Sequence, residues 1–366
     1  MVARRPRRER PDRLPPLTPG ERARALGVSR EAIELCDACD VVDAHVESFV
    51  WSRVLGYDLG QRHGPGALRG YFYSQADLPR MVEAGLNGVV LSVATNPFRR
   101  RDRRTTTLLA NLARLRTAVD AYPGAVVVAD HAGYLRARTQ GKLACFVAVQ
   151  GGNALGSPHD LARIPDDLVS RITLVHLTAS PLGAPSTPSG RRQRGLTPLG
   201  AQMVEAMNDR RVVVDLAHIS PAGFWDALAV HDRSQPVIVS HTGVRGVHDV
   251  WRNVDDDQLR AVARLGGVVG VMFHSGFLGD GFWSGRADAV VSHVEHVVRV
   301  AGEETAAIGS DYDGLIVPPA DLRTISRLPV LVQRMLDRRF SPERVGRVFG
   351  SNYLRVMAAV RPGRAP

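Results

Sequence analysis

The sequence predicts an α/β chain of the (β/α)8 barrel type, and three observations carry that prediction. Short β-branched runs recur eight times, separated by stretches long enough to hold a helix. Most of the runs are apolar throughout, the pattern of strands covered on both faces of a parallel sheet. Polar, metal-capable residues sit at the C-terminal ends of those runs, the end where barrel enzymes assemble their sites. A doubly wound open sheet is the alternative architecture.

In chain order, residues 1–16 are rich in Arg and Pro and lack apolar periodicity, so they are expected to form a disordered tail. The folded part, residues 17–366, is expected to be one barrel domain. It opens where Thr18 followed by Glu21 resembles a capping box. The expected strands are Val41–Ala44, Gly88–Val93, Ala144–Gln150, Ile172–Leu177, Val212–Ala217, Pro236–His241, Val268–Phe273 and Ala306–Asp311. Between them, Leu108, Leu109, Leu112, Leu115 and Val119 recur at helical spacing in 105–119, and 198–208 and 255–265 also read as amphipathic helices. Asp255, Asp256 and Asp257 fall in the first turn of the last of these, where the helix dipole favours negative charge.

Composition narrows the function. Hydrophobic residues make up 44% and charged residues 23%, the balance of a globular chain with a sizeable core. No run approaches the roughly 18 apolar residues that cross a bilayer, and the start leads into arginines instead of an apolar signal core, so a cytoplasmic location is expected. The net charge of +10 is almost all arginine, since Lys142 is the only lysine. Six of those arginines (Arg4, Arg5, Arg7, Arg8, Arg10 and Arg13) lie in the tail, without interleaved aromatics, so specific nucleic-acid binding is not expected. Cys36, Cys39 and Cys145 cannot build a disulfide framework, and Cys36-x-x-Cys39 alone reads as two thiols on a helix before the first strand.

The chemistry lies at the strand ends. Strand one ends in Asp43-Ala44-His45-Val46-Glu47, strand three in Gln150-Gly151-Gly152-Asn153 and strand four in His176. Strand five supplies Asp215 and His218, strand six His241, and strand eight Asp311 and Asp313. In a closed barrel these ends converge on one mouth. His45 and Glu47, two apart, point the same way and can hold one cation from one side, with Asp311 closing the site. His218 and His241 form a second, nitrogen-rich pair suited to zinc. A metal acidifies water enough to attack a carbonyl near neutral pH, with a carboxylate taking the proton. Asp215 and Asp313 read as residues supporting that site, Trp51, Phe72 and Tyr73 as candidate pocket walls, and His293 and His296 as one face of a helix.

From about Val41 to Val360 the chain resembles the membrane (renal) dipeptidases, the M19 metallopeptidases. The carriers are the strand-end segments above together with Gly195–Gly200, Pro236–His241, Arg252-Asn253-Val254, Gly309–Gly314 and Gly350–Val356. The resemblance implies a binuclear zinc barrel that hydrolyses dipeptides, and a homodimer. By motif it implies that His45, Glu47 and Asp311 hold one metal, that His218 and His241 hold the other, and that Gln150 stands at the bridging position. It further implies that His176 stabilises the oxyanion, that Arg252 binds the substrate carboxylate and that Asp311 assists proton transfer. Asn153 stands where the family carries a histidine facing the substrate. Two departures matter. Glu47 replaces an aspartate, and Gln150 replaces the bridging glutamate, leaving a neutral amide between two cations that repel each other. One zinc ion is therefore expected rather than two. A small dipeptide-like substrate is the expected partner. A biosynthetic tailoring enzyme of natural-product metabolism and a non-catalytic, metal-depleted barrel are the alternatives.

Overall fold

The computed structural model describes residues 17–66, 68–96, 99–188, 194–279 and 281–363, with the side chains of residues 101 and 102 left aside. The expected tail, 1–16, lies outside them. The chain opens with the helix Pro19–Leu26, and the Thr18–Glu21 capping box is present.

Among the described residues, nine strands form one parallel sheet: β1 Val42–Val46, β2 Gly88–Ala94, β3 Ala125–Val128, β4 Leu143–Gln150, β5 Val169–Thr173, β6 Val213–Asp215, β7 Ile238–Thr242, β8 Val268–Val271 and β9 Ala306–Ile308. Eight of them follow the path β1-β2-β4-β5-β6-β7-β8-β9. The two ends meet through a bridge between Val46 and Tyr312 and through backbone bonds from Glu47 N to Tyr312 O (2.8 Å) and Asp311 N to His45 O (3.0 Å). The expected (β/α)8 barrel is therefore what forms, nearly closed, and the open-sheet alternative is not.

The ninth strand, β3, was not expected from the sequence. It shares one edge of β4 with β5: β3 takes Leu143 to Phe146, and β5 takes Val147 to Gln150. A four-residue strand on the outside of the barrel path carries too short a pattern to be told from a turn. The strand bounds differ from the expected ones throughout, and two of the shifts move site residues. β5 spans Val169–Thr173 rather than 172–177, which places Arg171 inside the barrel wall and His176 beyond its end. β9 stops at Ile308, so Asp311 sits in the loop that follows.

Small and apolar side chains from seven strands, among them Val42, Ala44, Val90, Phe146, Ala148, Ile238 and Ala307, pack with one another inside the barrel. The C-terminal helix Asn352–Val360 closes the bottom with Tyr353, Val356, Met357 and Val360. The larger cluster lies between sheet and helices, where Arg101–Asp120 buries Leu108, Leu112, Leu115 and Val119. Leu109 is only half-buried. Asp255, expected in the first turn, instead caps the helix Asp256–Arg264 in a capping box with Gln258, and Asp256 and Asp257 lie in the first turn as expected. Cys36, Cys39 and Cys145 are free thiols, with Cys36 buried in the helix Arg30–Ala38 and Cys39 at its C-cap. No helix among the described residues is long and apolar enough to cross a membrane.

Closure rests on Asp43. Its Oδ1 accepts from His45 N (3.1 Å) and Ser310 N (3.0 Å), tying β1 to the loop after β9. Asp43→Ala leaves two buried N–H groups without partners and is expected to cost about 2–4 kcal/mol, with Asp43→Asn retaining most of that stability. Urea unfolding of the two variants checks this.

Candidate metal centre

Every site residue hangs from the same rim. His45 is the next-to-last residue of β1 and Glu47 comes just past its end, Gln150 ends β4, His176 lies three residues past β5, Asp215 ends β6, and His218 lies three beyond. His241 lies within β7 and Asp311 three residues past β9. His218 and Asp311 both carry positive φ, 64° and 62°. Left-handed backbone at non-glycine residues costs energy that the surrounding structure must over-determine, and it clusters at functional sites.

The side chains meet. His45 Nε2 lies 3.6 Å from both Glu47 Oε1 and Asp311 Oδ1. The His45 and His241 rings stack at 3.8 Å, and His218 Nε2 lies 2.8 Å from His241 Nε2. His176 meets His218 edge-on at 4.7 Å and sits 3.0 Å from the Gln150 amide nitrogen. One ligand atom each from His45, His241 and Asp311 falls within 4.8 Å of the others. The structure thus brings together His45, Glu47, Gln150, His176, His218, His241 and Asp311, all of them expected from the sequence.

Behind this cluster stands Asp215. Its carboxylate accepts five hydrogen bonds: from Thr173 Oγ1 (2.5 Å), Ala217 N (3.0 Å), Ser240 N (2.9 Å), Ser240 Oγ (2.7 Å) and Arg171 Nη1. Because the Ser240 hydroxyl donates to Asp215, it accepts from His241 Nδ1 (2.8 Å). That fixes the His241 proton on Nδ1 and turns the Nε2 lone pair toward the site, where His218 Nε2 stands 2.8 Å away. Arg171 carries only donors, so its Nη2 donates to His45 Nδ1 (3.0 Å). The neutral His45 ring then keeps its proton on Nε2, between the two carboxyl groups. Sequence reading missed Arg171. The available signal was a charged residue in an apolar run, and it was lost by starting that strand three residues too late.

Burial and mutual charge set the protonation states. Burial pushes the Glu47 carboxyl up to about 7, against the pull of Arg53 and Arg171. Burial, then the neighbouring Glu47, raises Asp311 well above the carboxylate range. His45, His218 and His241 are held well below the imidazole range by burial and by nearby cations and rings, and His176 is lowered to about 4 by burial and Arg252. The imidazoles are therefore neutral and able to ligate. Their surroundings hold orphaned polar atoms: His45 Nε2, Glu47 Oε1, Gln150 Oε1 and His218 Nδ1 are buried without hydrogen-bond partners. Neutral imidazoles, two crowded carboxyls and unsatisfied ligand atoms facing one space fit a divalent cation.

The remaining expected residues serve the frame. Asp313 accepts from Ser48 Oγ, Gln75 N (2.8 Å) and Ala76 N (3.1 Å), pinning the long loop after β1 to the loop after β9. Trp51 donates to Asp313 O (2.8 Å) and lies 5.5 Å from Tyr73, and Phe72 meets Trp283 at 6.0 Å. Arg252 donates to His241 O (2.6 Å), while Asp255 caps its helix and Asp256 faces His296 and Arg260. Asn153 Oδ1 accepts from Thr95 Oγ1 (2.7 Å). Gly151, at φ 91°, needs its missing Cβ, which would lie 2.6 Å from both of those oxygens. His293 accepts from Val244 N (2.9 Å) and lies apart from the cluster.

Arg171→Met is expected to destabilise the protein by about 3–5 kcal/mol, because it leaves Asp215 buried without its cation. Adding Asp215→Asn to that variant should recover part of the loss. Chemical denaturation of the single and double variants measures both.

Residues 29–365 match the family model for membrane dipeptidase, peptidase family M19. Dipeptidase 3 of Mus musculus is 31% identical over 303 residues, which make up 81% of this chain and 60% of that protein. A metallopeptidase of Rhodobacter sphaeroides, solved with a phosphinate mimic of the dipeptide L-Ala-D-Ala, is 20% identical at TM-score 0.77, covering 88% of this chain and 99% of its own. The probable dipeptidase PvdM of Pseudomonas aeruginosa is 17% identical at TM-score 0.78, covering 93% and 99%. At those identities the two structures speak for the fold, and the family model speaks for descent. A rim of neutral imidazoles and crowded carboxyls on a (β/α)8 barrel, matched along nearly its whole length, makes this chain a member of the M19 membrane dipeptidase family.

Proposed function

We propose that this protein is a metal-dependent hydrolase of dipeptidase type that works with a single zinc ion on a dipeptide or a dipeptide-like amide. The observation that carries the reading is the convergence of His45, His241 and Asp311 within 4.8 Å, with His218 and Glu47 beside them. His241 is the best-prepared ligand, its Nε2 lone pair set by Ser240 and Asp215. His45 would hold the ion through Nε2 with its ring proton moved to Nδ1 and the Arg171 contact to that nitrogen released. When bound, the ion supplies Lewis-acid polarisation of the amide carbonyl and a lowered pKa for water.

Two features favour one ion over two. Gln150 offers a neutral amide at the bridging position, and the buried Arg171 already places a positive charge 3.0 Å from His45. A second divalent cation would face both without an added anion to offset the repulsion.

The chain's own residues divide the remaining work. His176, neutral near pH 7, can donate a hydrogen bond to an oxygen that gains charge during attack. Arg252 is buried and stays cationic, its pKa lowered only to about 10 by burial, and it can hold the terminal carboxylate of a dipeptide. Asp311, whose carboxyl holds a proton readily, can shuttle it between water and the leaving amine. Asn153 contributes its amide nitrogen to the substrate side. The solved relative with a bound dipeptide mimic supports this substrate class.

Elemental analysis should find about one zinc per chain, lost in His241→Ala. Gln150→Glu should add a second equivalent and raise dipeptide hydrolysis. No turnover of any dipeptide at full occupancy would contradict the peptidase reading. Zinc affinity should climb as pH rises through about 7, because Glu47, and with it Asp311, must release a proton to accept a cation. Calorimetric titrations across pH 5.5–8 read the slope, and a flat profile would contradict a role for Glu47.

A further inference from the structure

The mouth of the barrel carries a row of aromatic rings that the metal chemistry does not use. It starts at Trp251, which lines one small cavity together with Arg252 and His218. Phe277 meets Trp251 at 5.3 Å, His274 meets Phe277 at 4.7 Å, and Phe282 meets His274 at 5.5 Å. Trp283 continues the row at 4.7 Å and meets Phe72, from the long loop after β1, at 6.0 Å. The ring planes in these five pairs cross at 78° to 88°, the edge-to-face geometry in which each ring holds the next.

These rings come from the loops that follow β7, β8 and β1, on the face that also holds the metal centre. His274 lies three residues past β8, the same offset that places His176, His218 and Asp311 past their own strands. Its Nδ1 accepts from Val317 N (3.2 Å), and Phe72 N donates to Ile316 O (2.9 Å), so the loop after β9 steadies the row at two points. The backbone is strained where that loop and the row meet. Phe72 and Leu315 sit at φ 66° and 63°, and left-handed backbone at bulky side chains must be imposed by the surrounding structure, as it is at binding sites.

The far end of the row is open, with Phe282 43% exposed, Trp283 56% and Leu315 62%. A surface that runs from a buried guanidinium to exposed aromatic rings suits a molecule anionic at one end and apolar beyond it. Arg252 takes the terminal carboxylate in the hydrolase reading, and Trp251 is its neighbour both in the chain and in the cavity. The row therefore flanks the residue that bears that carboxylate. We propose that it is a specificity wall, selecting dipeptide-like substrates whose carboxy-terminal residue has an aromatic or large aliphatic side chain. The proposal rests on the hydrolase reading for the position of the carboxylate.

Isothermal titration of the zinc-loaded full chain with phosphinate mimics of Ala-Ala and of Ala-Phe tests the wall without requiring turnover. The Ala-Phe mimic should bind at least about tenfold more tightly. Trp283→Ala and Phe282→Ala, both at exposed positions, should each cut that ratio by about threefold or more. Trp225→Ala removes an exposed aromatic from the helix Pro221–Val230 and should leave the ratio unchanged. Equal affinities in the unmodified protein would overturn the proposal and leave the hydrolase reading intact. A ratio that survives Trp283→Ala and Phe282→Ala would overturn it too, and if sedimentation showed those variants splitting a dimer, the exposed rings would belong to an interface between two copies of the chain. Discrimination without hydrolysis of Ala-Phe itself would keep the wall and contradict the hydrolase reading, and binding of neither mimic would overturn both.

Discussion

A single buried carboxylate organises this site. Asp215 gathers five hydrogen bonds at the end of β6 and, through two intermediaries, governs rings it never touches. Through Ser240 it sets the tautomer of His241, and through Arg171 it sets that of His45. A histidine presents a lone pair on one nitrogen only if the other is held as a donor, so ligand quality is decided one bond away from the ligand. The network also joins β5, β6 and β7 and reaches β1, which makes the chemistry and the closure of the barrel parts of one structure.

The electrostatics follow from the same packing. Burial drives Glu47 and Asp311 to hold protons and keeps the imidazoles neutral, a balance that a cation would reverse for the acids and exploit for the rings. Arg171 and Arg252 already contribute buried positive charge near the rings. Against that background, the neutral amide of Gln150 adds no negative charge that could offset a second cation. The positive φ at His218 and Asp311 fits such a site, where position matters more than backbone comfort.

Most of this was legible in the sequence because a parallel strand announces itself twice, by an apolar run and by a polar residue at its C-terminal end. His45, His241 and Asp311 could be placed on one rim before any coordinates were known, since a closed barrel brings strand ends together whatever their separation in the chain. What was not legible has physical reasons. β3 is four residues long and lies outside the barrel path. Arg171 was hidden because a guanidinium inside a barrel wall is uncommon and only its ion pair with Asp215 explains it. A cavity lined by Arg53 and Arg114 joins two helices, Phe49–Val54 and Arg101–Asp120, which no linear pattern connects.

Anomalous scattering from crystals grown with zinc tests the central claim most directly. One peak between His241 Nε2 and Asp311, with Ser240 still bonded to His241 Nδ1, is the result this account predicts. Two peaks of full height, or zinc absent from His241, would contradict it.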